Sequence, residues 1–140
     1  YAGKGKIVCV GLLKGAVCFL TDLLRHLTVP YEIDFMVLSS YGNKTSSSGT
    51  VKLKKDMSVN PEGRHLLIVE DLIDTGGTLK WLKEYLSEKR AASVKIACLL
   101  NKKKGRRADL QDFEPRYTSG FLAKYAALAL GADKGAVTQA

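Results

Sequence analysis

Leu66-Leu67-Ile68-Val69-Glu70-Asp71-Leu72-Ile73-Asp74-Thr75-Gly76-Gly77-Thr78-Leu79 decides how this chain is read. A four-residue apolar run ends in two adjacent carboxylates, and a third carboxylate follows three residues later. Thr-Gly-Gly-Thr comes next, then a segment of helical character containing Trp81, Leu82, Tyr85 and Leu86. The run suits a buried strand over 65–69, and the small-residue turn suits the opening of a helix over 79–86. Acids at the carboxyl end of such a strand can hold ribose hydroxyls or a metal. Bare amides and the positive end of a helix can hold a phosphate. The bland alternative is an ordinary strand-to-helix turn with Asp74 or Thr75 as the cap, but a cap needs one polar oxygen rather than three carboxylates.

Working outward, Ile7-Val8-Cys9-Val10-Gly11-Leu12-Leu13 is a continuous apolar run, expected as a strand covered on both faces. Gly15 breaks it, and Val17, Leu20, Leu23, Leu24 and Leu27 recur at helical spacing until Pro30. Tyr31 to Leu38 alternates weakly as a second strand, and Ala92 to Leu100 is expected as a fourth. Between them, residues 39–56 hold Tyr41-Gly42-Asn43-Lys44-Thr45-Ser46-Ser47-Ser48-Gly49. This composition cannot bury a core and predicts a mobile loop with short ribbon ends. Asn60-Pro61-Glu62-Gly63 is a turn. The rhythm predicts an α/β fold, a doubly wound and mostly parallel sheet flanked by helices. In such sheets ligands bind beyond the carboxyl ends of the strands. Lys14, Ser40, Asp71 and Lys102 all follow apolar runs, so they are expected to meet at one edge.

The chain has 140 residues, 46% hydrophobic and 26% charged, which suits one soluble globular domain. No apolar run approaches a bilayer's thickness, so no membrane partner is expected. No leader or transit segment is legible at the start, although the chain opens without Met. The expected compartment is the cytoplasm, with any organelle address left to sequence outside the chain. Cys9, Cys18 and Cys98 lie in apolar runs and fit no zinc spacing. The net charge of +8 and pI near 9.4 suit polyanions, either small phosphates or nucleic acid.

The acidic stretch resembles the 5-phosphoribosyl-diphosphate-binding signature of the type I phosphoribosyltransferases, and the whole pattern is most similar to their 6-oxopurine branch. The resemblance covers roughly residues 7 to 113. It implies an enzyme of the glycosyltransferase class in purine salvage. Such an enzyme transfers ribose 5-phosphate from 5-phosphoribosyl diphosphate to hypoxanthine, guanine or xanthine. It releases diphosphate and the nucleotide monophosphate (IMP, GMP or XMP). Residues 1–113 are then the phosphoribosyltransferase core. Residues 114–140 are a divergent tail, with helical spacing over 120–131, that packs on it.

By resemblance, Glu70 and Asp71 bind the ribose hydroxyls and touch Mg2+ indirectly, through ribose or water. Asp74 is the catalytic proton acceptor near purine N7. Asp74, Thr75, Gly76, Gly77 and Thr78 wrap the 5′-phosphate. Leu13-Lys14-Gly15 resembles the diphosphate loop, where the peptide before the Lys turns its amide toward the ligand. Ser40 and Tyr41 resemble the pair that begins a flexible lid, which closes to exclude water. Lys102 resembles the lysine placed against the 6-oxo group, where an ammonium donates to a carbonyl and rejects an exocyclic amine. Lys103 is its competitor within Lys102-Lys103-Lys104-Gly105-Arg106-Arg107, most of which reads as a solvated basic loop.

Tyr117 is a weak candidate to stack on the purine. On that register Gly120 follows as the family's Gly, and Lys124 stands where the family has a magnesium-binding Asp. A charged Lys cannot ligate magnesium. His26, His65 and Trp81 are assigned to helix dipole, strand and packing rather than chemistry. The family implies a homo-oligomer, a dimer or tetramer. The less favoured alternative is a non-catalytic protein on the same fold, one that senses nucleotides, binds RNA or serves as a structural partner.

Overall fold

The computed structural model describes residues 1, 3–41, 50–74, 76–102 and 117–118. Its elements in chain order are β1 (Ile7–Leu12), α1 (Val17–His26), β2 (Tyr31–Tyr41), β3 (Thr50–Lys55), β4 (His65–Ile73), α2 (Gly77–Glu88), β5 (Ser93–Asn101) and β6 (Tyr117–Thr118). One six-stranded sheet contains them in the order β3-β2-β1-β4-β5-β6. β2, β1, β4, β5 and β6 run parallel, and β3 is an antiparallel edge. The doubly wound α/β expectation holds.

β1 is buried along its whole length, as its unbroken apolar run requires. Alternate side chains feed two cores. On one face Val8, Val10, Leu12, Leu66, Ile68 and Ile96 pack with Leu79, Leu82 and Leu86 of α2. On the other, Ile7, Cys9, Leu67, Val69 and Ala97 pack with Phe19 and Leu20 of α1. Val17, read as part of the α1 stripe, is exposed, and Phe19 is buried instead. The buried face is set by Ala16, Phe19 and Leu20, so it begins before Val17.

Two expectations need correction. The strand expected over 65–69 runs on to Ile73, so Glu70 and Asp71 lie inside β4 rather than after it. Its partner β5 is long enough to keep pairing, with Glu70 opposite Cys98, Leu72 opposite Leu100 and Ile73 opposite Asn101. The cap of α2 is Gly76 at φ 85, a left-handed conformation that glycine adopts without a Cβ clash. Finally, 39–56 is more ordered at its ends than a loop with short ribbon ends. β2 reaches Tyr41 and pairs with β3 from Tyr41↔Thr50 to Val37↔Lys55, with a bulge between Val37 and Leu38. Leu53 and Met57 gain contact with the α2-side core, which repays ordering a lysine-rich strand. The tip over 42–49, which carries the lid expectation, lies outside the described residues, as do Thr75, 103–116 and the helical spacing read over 120–131.

Candidate active site

Because β1, β2, β4 and β5 are parallel, their carboxyl ends share one edge of the sheet. β1 and β4 are neighbours, yet the chain leaves β1 toward β2 on one side and β4 toward β5 on the other. That reversal opens a crevice at the edge, the usual ligand position in such sheets. Leu13-Lys14-Gly15 follows β1, Ser40 and Tyr41 end β2, Glu70 to Asp74 end and follow β4, and Asn101-Lys102 end and follow β5. The ends of four segments distant in sequence therefore lie along one edge of the sheet.

The acids are held differently. Glu70 is half-buried, and its Oε1 accepts the Asp71 amide at 2.9 Å. Burial, helped by the adjacent Asp71 carboxylate, pushes the Glu70 carboxyl up to about 8. Asp71 Oδ1 accepts the Leu72 amide at 2.8 Å. That carboxylate lies against Gly15: a Cβ built there would stand 2.9 Å from Asp71 Cγ and closer still to its Oδ2. The Leu13-Lys14-Gly15 turn and the second acid thus touch. The Leu13–Lys14 peptide is cis. Leu13 N donates to Met36 O at 3.0 Å, and Ala16 N to Leu12 O at 3.2 Å, so the backbone brackets the turn on both sides.

Asp74 is exposed beyond β4, and Lys102 is exposed beyond β5. The Lys102 amide donates to Ile73 O at 2.9 Å, which extends the β4–β5 ladder and carries the two side chains together. Lys102 Nζ stands 3.5 Å from Asp74 Oδ1, with both side chains 55% exposed. An ammonium and a carboxylate at this spacing present a donor beside an acceptor to any ligand edge that enters between them. Past Asp74, the Gly76 cap is buried and opens α2 without a side-chain cap bond, so the positive end of the helix lies beside the acids.

One residue passed unnoticed in the sequence. Leu72 is 45% exposed, between the acids, opposite Leu100 on the neighbouring strand. It offers apolar surface at the mouth of the crevice. The signal was available: an apolar residue alternating with acids once β4 is known to continue. Cys98, opposite Glu70, is a buried core residue whose Sγ donates to Leu100 O at 2.8 Å, and burial raises its thiol to about 12. The backbone of Tyr117 pairs with Ala97, near the middle of β5, and its side chain lies outside the described residues.

Glu70 and Asp71 suit a magnesium ion by donor chemistry, being hard carboxylate oxygens side by side, one of them destabilised as an anion by burial. Among the described residues no group of three or more His, Cys, Asp and Glu forms a protein cage. Two carboxylates completed by water and ligand oxygens are an ordinary magnesium donor set.

The family profile described as phosphoribosyl transferase domain matches residues 1–115. This chain belongs to the type I phosphoribosyltransferase family. Its relatives lie in the 6-oxopurine branch. It is 49% identical over 111 residues to the hypoxanthine-guanine phosphoribosyltransferase of Streptococcus pneumoniae, covering 79% of this chain and 61% of that one. To the enzyme of the same name from Streptococcus agalactiae serotype V it is 46% identical over 132 residues, covering 90% and 73%. The crystal structure of a hypoxanthine phosphoribosyltransferase from Staphylococcus aureus superposes with a TM-score of 0.74 at 40% identity, covering 83% of this chain and 61% of that one. The chain therefore spans about three-fifths of the first of these relatives' length. Among the described residues no helix is long and apolar enough to cross a membrane.

Proposed function

We propose that this phosphoribosyltransferase transfers ribose 5-phosphate from 5-phosphoribosyl diphosphate to a 6-oxopurine, forming the nucleotide monophosphate and diphosphate. The observation that carries the reading is the meeting of Glu70, Asp71, Asp74 and Lys102 with the Gly76-opened helix at one sheet edge. In the transfer, the bond from C1′ to the diphosphate oxygen breaks, a bond from C1′ to the attacking ring nitrogen forms, and the purine loses one proton.

Glu70 and Asp71 hold the ribose hydroxyls, while Thr75 to Thr78 and the opening of α2 hold the 5′-phosphate. Leu13-Lys14-Gly15 meets the diphosphate with a cation and backbone amides. Magnesium, when bound near Glu70 and Asp71 through water or ribose oxygens, supplies charge neutralisation of the leaving diphosphate. Asp74 takes the N7 proton, and Lys102 donates to the 6-oxo group. Their 3.5 Å separation supports this pairing, because O6 and N7 are neighbours on the purine edge. Leu72 offers the flat ring an apolar contact, and Tyr117 is kept as the weak candidate to stack on it. Ser40 and Tyr41 lead into the lid over 42–49. Positioning and charge stabilisation then supply most of the acceleration. A homo-oligomer and a cytoplasmic location accompany this reading.

The test is nucleotide formation by the whole chain from 5-phosphoribosyl diphosphate and magnesium with each purine base in turn. Product with hypoxanthine, guanine or xanthine and none with adenine is expected. No product with any base overturns the proposal.

A further inference from the structure

The Asp71 carboxylate fills the space that a side chain on Gly15 would occupy. Its movement is limited, because Oδ1 accepts the Leu72 amide at 2.8 Å from within β4. The turn it meets is equally constrained. Leu13 N is tied to β2 through Met36 O, and Ala16 N and Val17 N are tied back to Leu12 O and Lys14 O at 3.2 Å. Two backbone-anchored pieces of adjacent strands thus touch through one carboxylate and one bare Cα. A carboxylate that shifts to meet a ribose hydroxyl or a cation must press on, or draw back from, the turn. A close-packed contact of this kind has few intermediate positions.

We propose that Asp71 is also the positioning residue for the Leu13-Lys14-Gly15 turn, coupling occupancy of the ribose position to affinity at the diphosphate position through its contact with Gly15. The inference rests on the functional reading above and goes beyond it: in that reading the two halves of the sugar diphosphate are held by separate groups. Coupling between sites is reciprocal, so ribose 5-phosphate should sharpen diphosphate binding by the same factor as the converse.

The test is calorimetric binding of inorganic diphosphate to the whole chain in magnesium buffer, with and without saturating ribose 5-phosphate. The proteins compared are the unsubstituted chain, Gly15→Ala, Asp71→Ala and the double variant. In the unsubstituted chain, ribose 5-phosphate should raise diphosphate affinity about fivefold or more, within the usual range of intersite coupling. Asp71→Ala should abolish that gain. Gly15→Ala should weaken diphosphate about tenfold when Asp71 is present and less than threefold when it is Ala, because the new Cβ then has room.

Equal losses in both backgrounds, or a ribose effect that survives Asp71→Ala, overturn the inference while leaving the function intact. Failure of the unsubstituted chain to bind diphosphate at all overturns the functional reading and this inference with it. If Gly15→Ala does not fold, the comparison of the unsubstituted chain with Asp71→Ala decides the matter by the presence or loss of coupling.

Discussion

Replacing Glu70 by Gln should make the protein more stable in alkaline buffer and flatten its stability against pH. The Glu70 carboxyl titrates at about 8 instead of its ordinary 4.5, chiefly because burial penalises the anion. Between those two values the folded chain binds a proton that the unfolded chain has released. The stabilisation is therefore complete below 4.5 and is lost as pH rises through about 8. At about 1.4 kcal/mol for each tenfold change in proton affinity, the ceiling is about 5 kcal/mol. Water reaching the partly exposed group should reduce this to about 2–3 kcal/mol. Gln is close in shape to the protonated acid: its oxygen can still accept the Asp71 amide, and its amide can donate toward the Asp71 carboxylate. Urea unfolding in magnesium-free buffer at about pH 5 and about pH 9 measures the effect. Unsubstituted protein should lose about 2–3 kcal/mol across that span beyond any loss in Glu70→Gln. Parallel curves for the two proteins, or a larger loss in the variant, would refute the burial argument.

Three further outcomes follow from the site. Asp74→Asn should lower turnover by roughly 10²–10⁴ with an unchanged circular dichroism spectrum, since on the proposed mechanism it removes the proton acceptor; an unaltered rate rules out that role. Lys102→Ala should cost roughly 10–100-fold in kcat/KM for 6-oxopurines, about the worth of a charge-assisted hydrogen bond, and should narrow the preference over adenine. Competition assays with paired bases read this directly, and an undiminished preference counts against Lys102. Gly76→Ala forces a Cβ into φ 85 and should lower stability by about 1–2 kcal/mol while raising KM for the sugar diphosphate; a variant with native thermal stability and KM would show that the cap is not held there.

The strands and the edge that their ends share were legible because apolar runs and their spacing report burial directly. The uninterrupted β1 run predicted a strand covered on both faces, and all six residues are buried. The acids of 70–74 were readable as a candidate site because three carboxylates in five positions serve no packing purpose. The hairpin was less legible, because Thr50 to Lys55 alternates with lysines and its ordering depends on Leu53 and Met57 reaching a core built by other segments. The length of β4 was hidden for a similar reason: carboxylates are poor strand formers alone, and it is the paired β5 that carries them on to Ile73.

What residues alone determined here is local: where apolar runs start and stop, where glycine interrupts them, and which charges cluster along the chain. Those properties depend on near neighbours, so linear order preserves them. Tertiary structure decided what meets what. Asp71 came to rest against Gly15, fifty-six positions away by their numbering. Lys102 came within 3.5 Å of Asp74 because β5 lies beside β4 and its next amide bonds Ile73. Such contacts follow from strand pairing across the sheet, a long-range choice set by the total burial of both cores rather than by any one segment's composition.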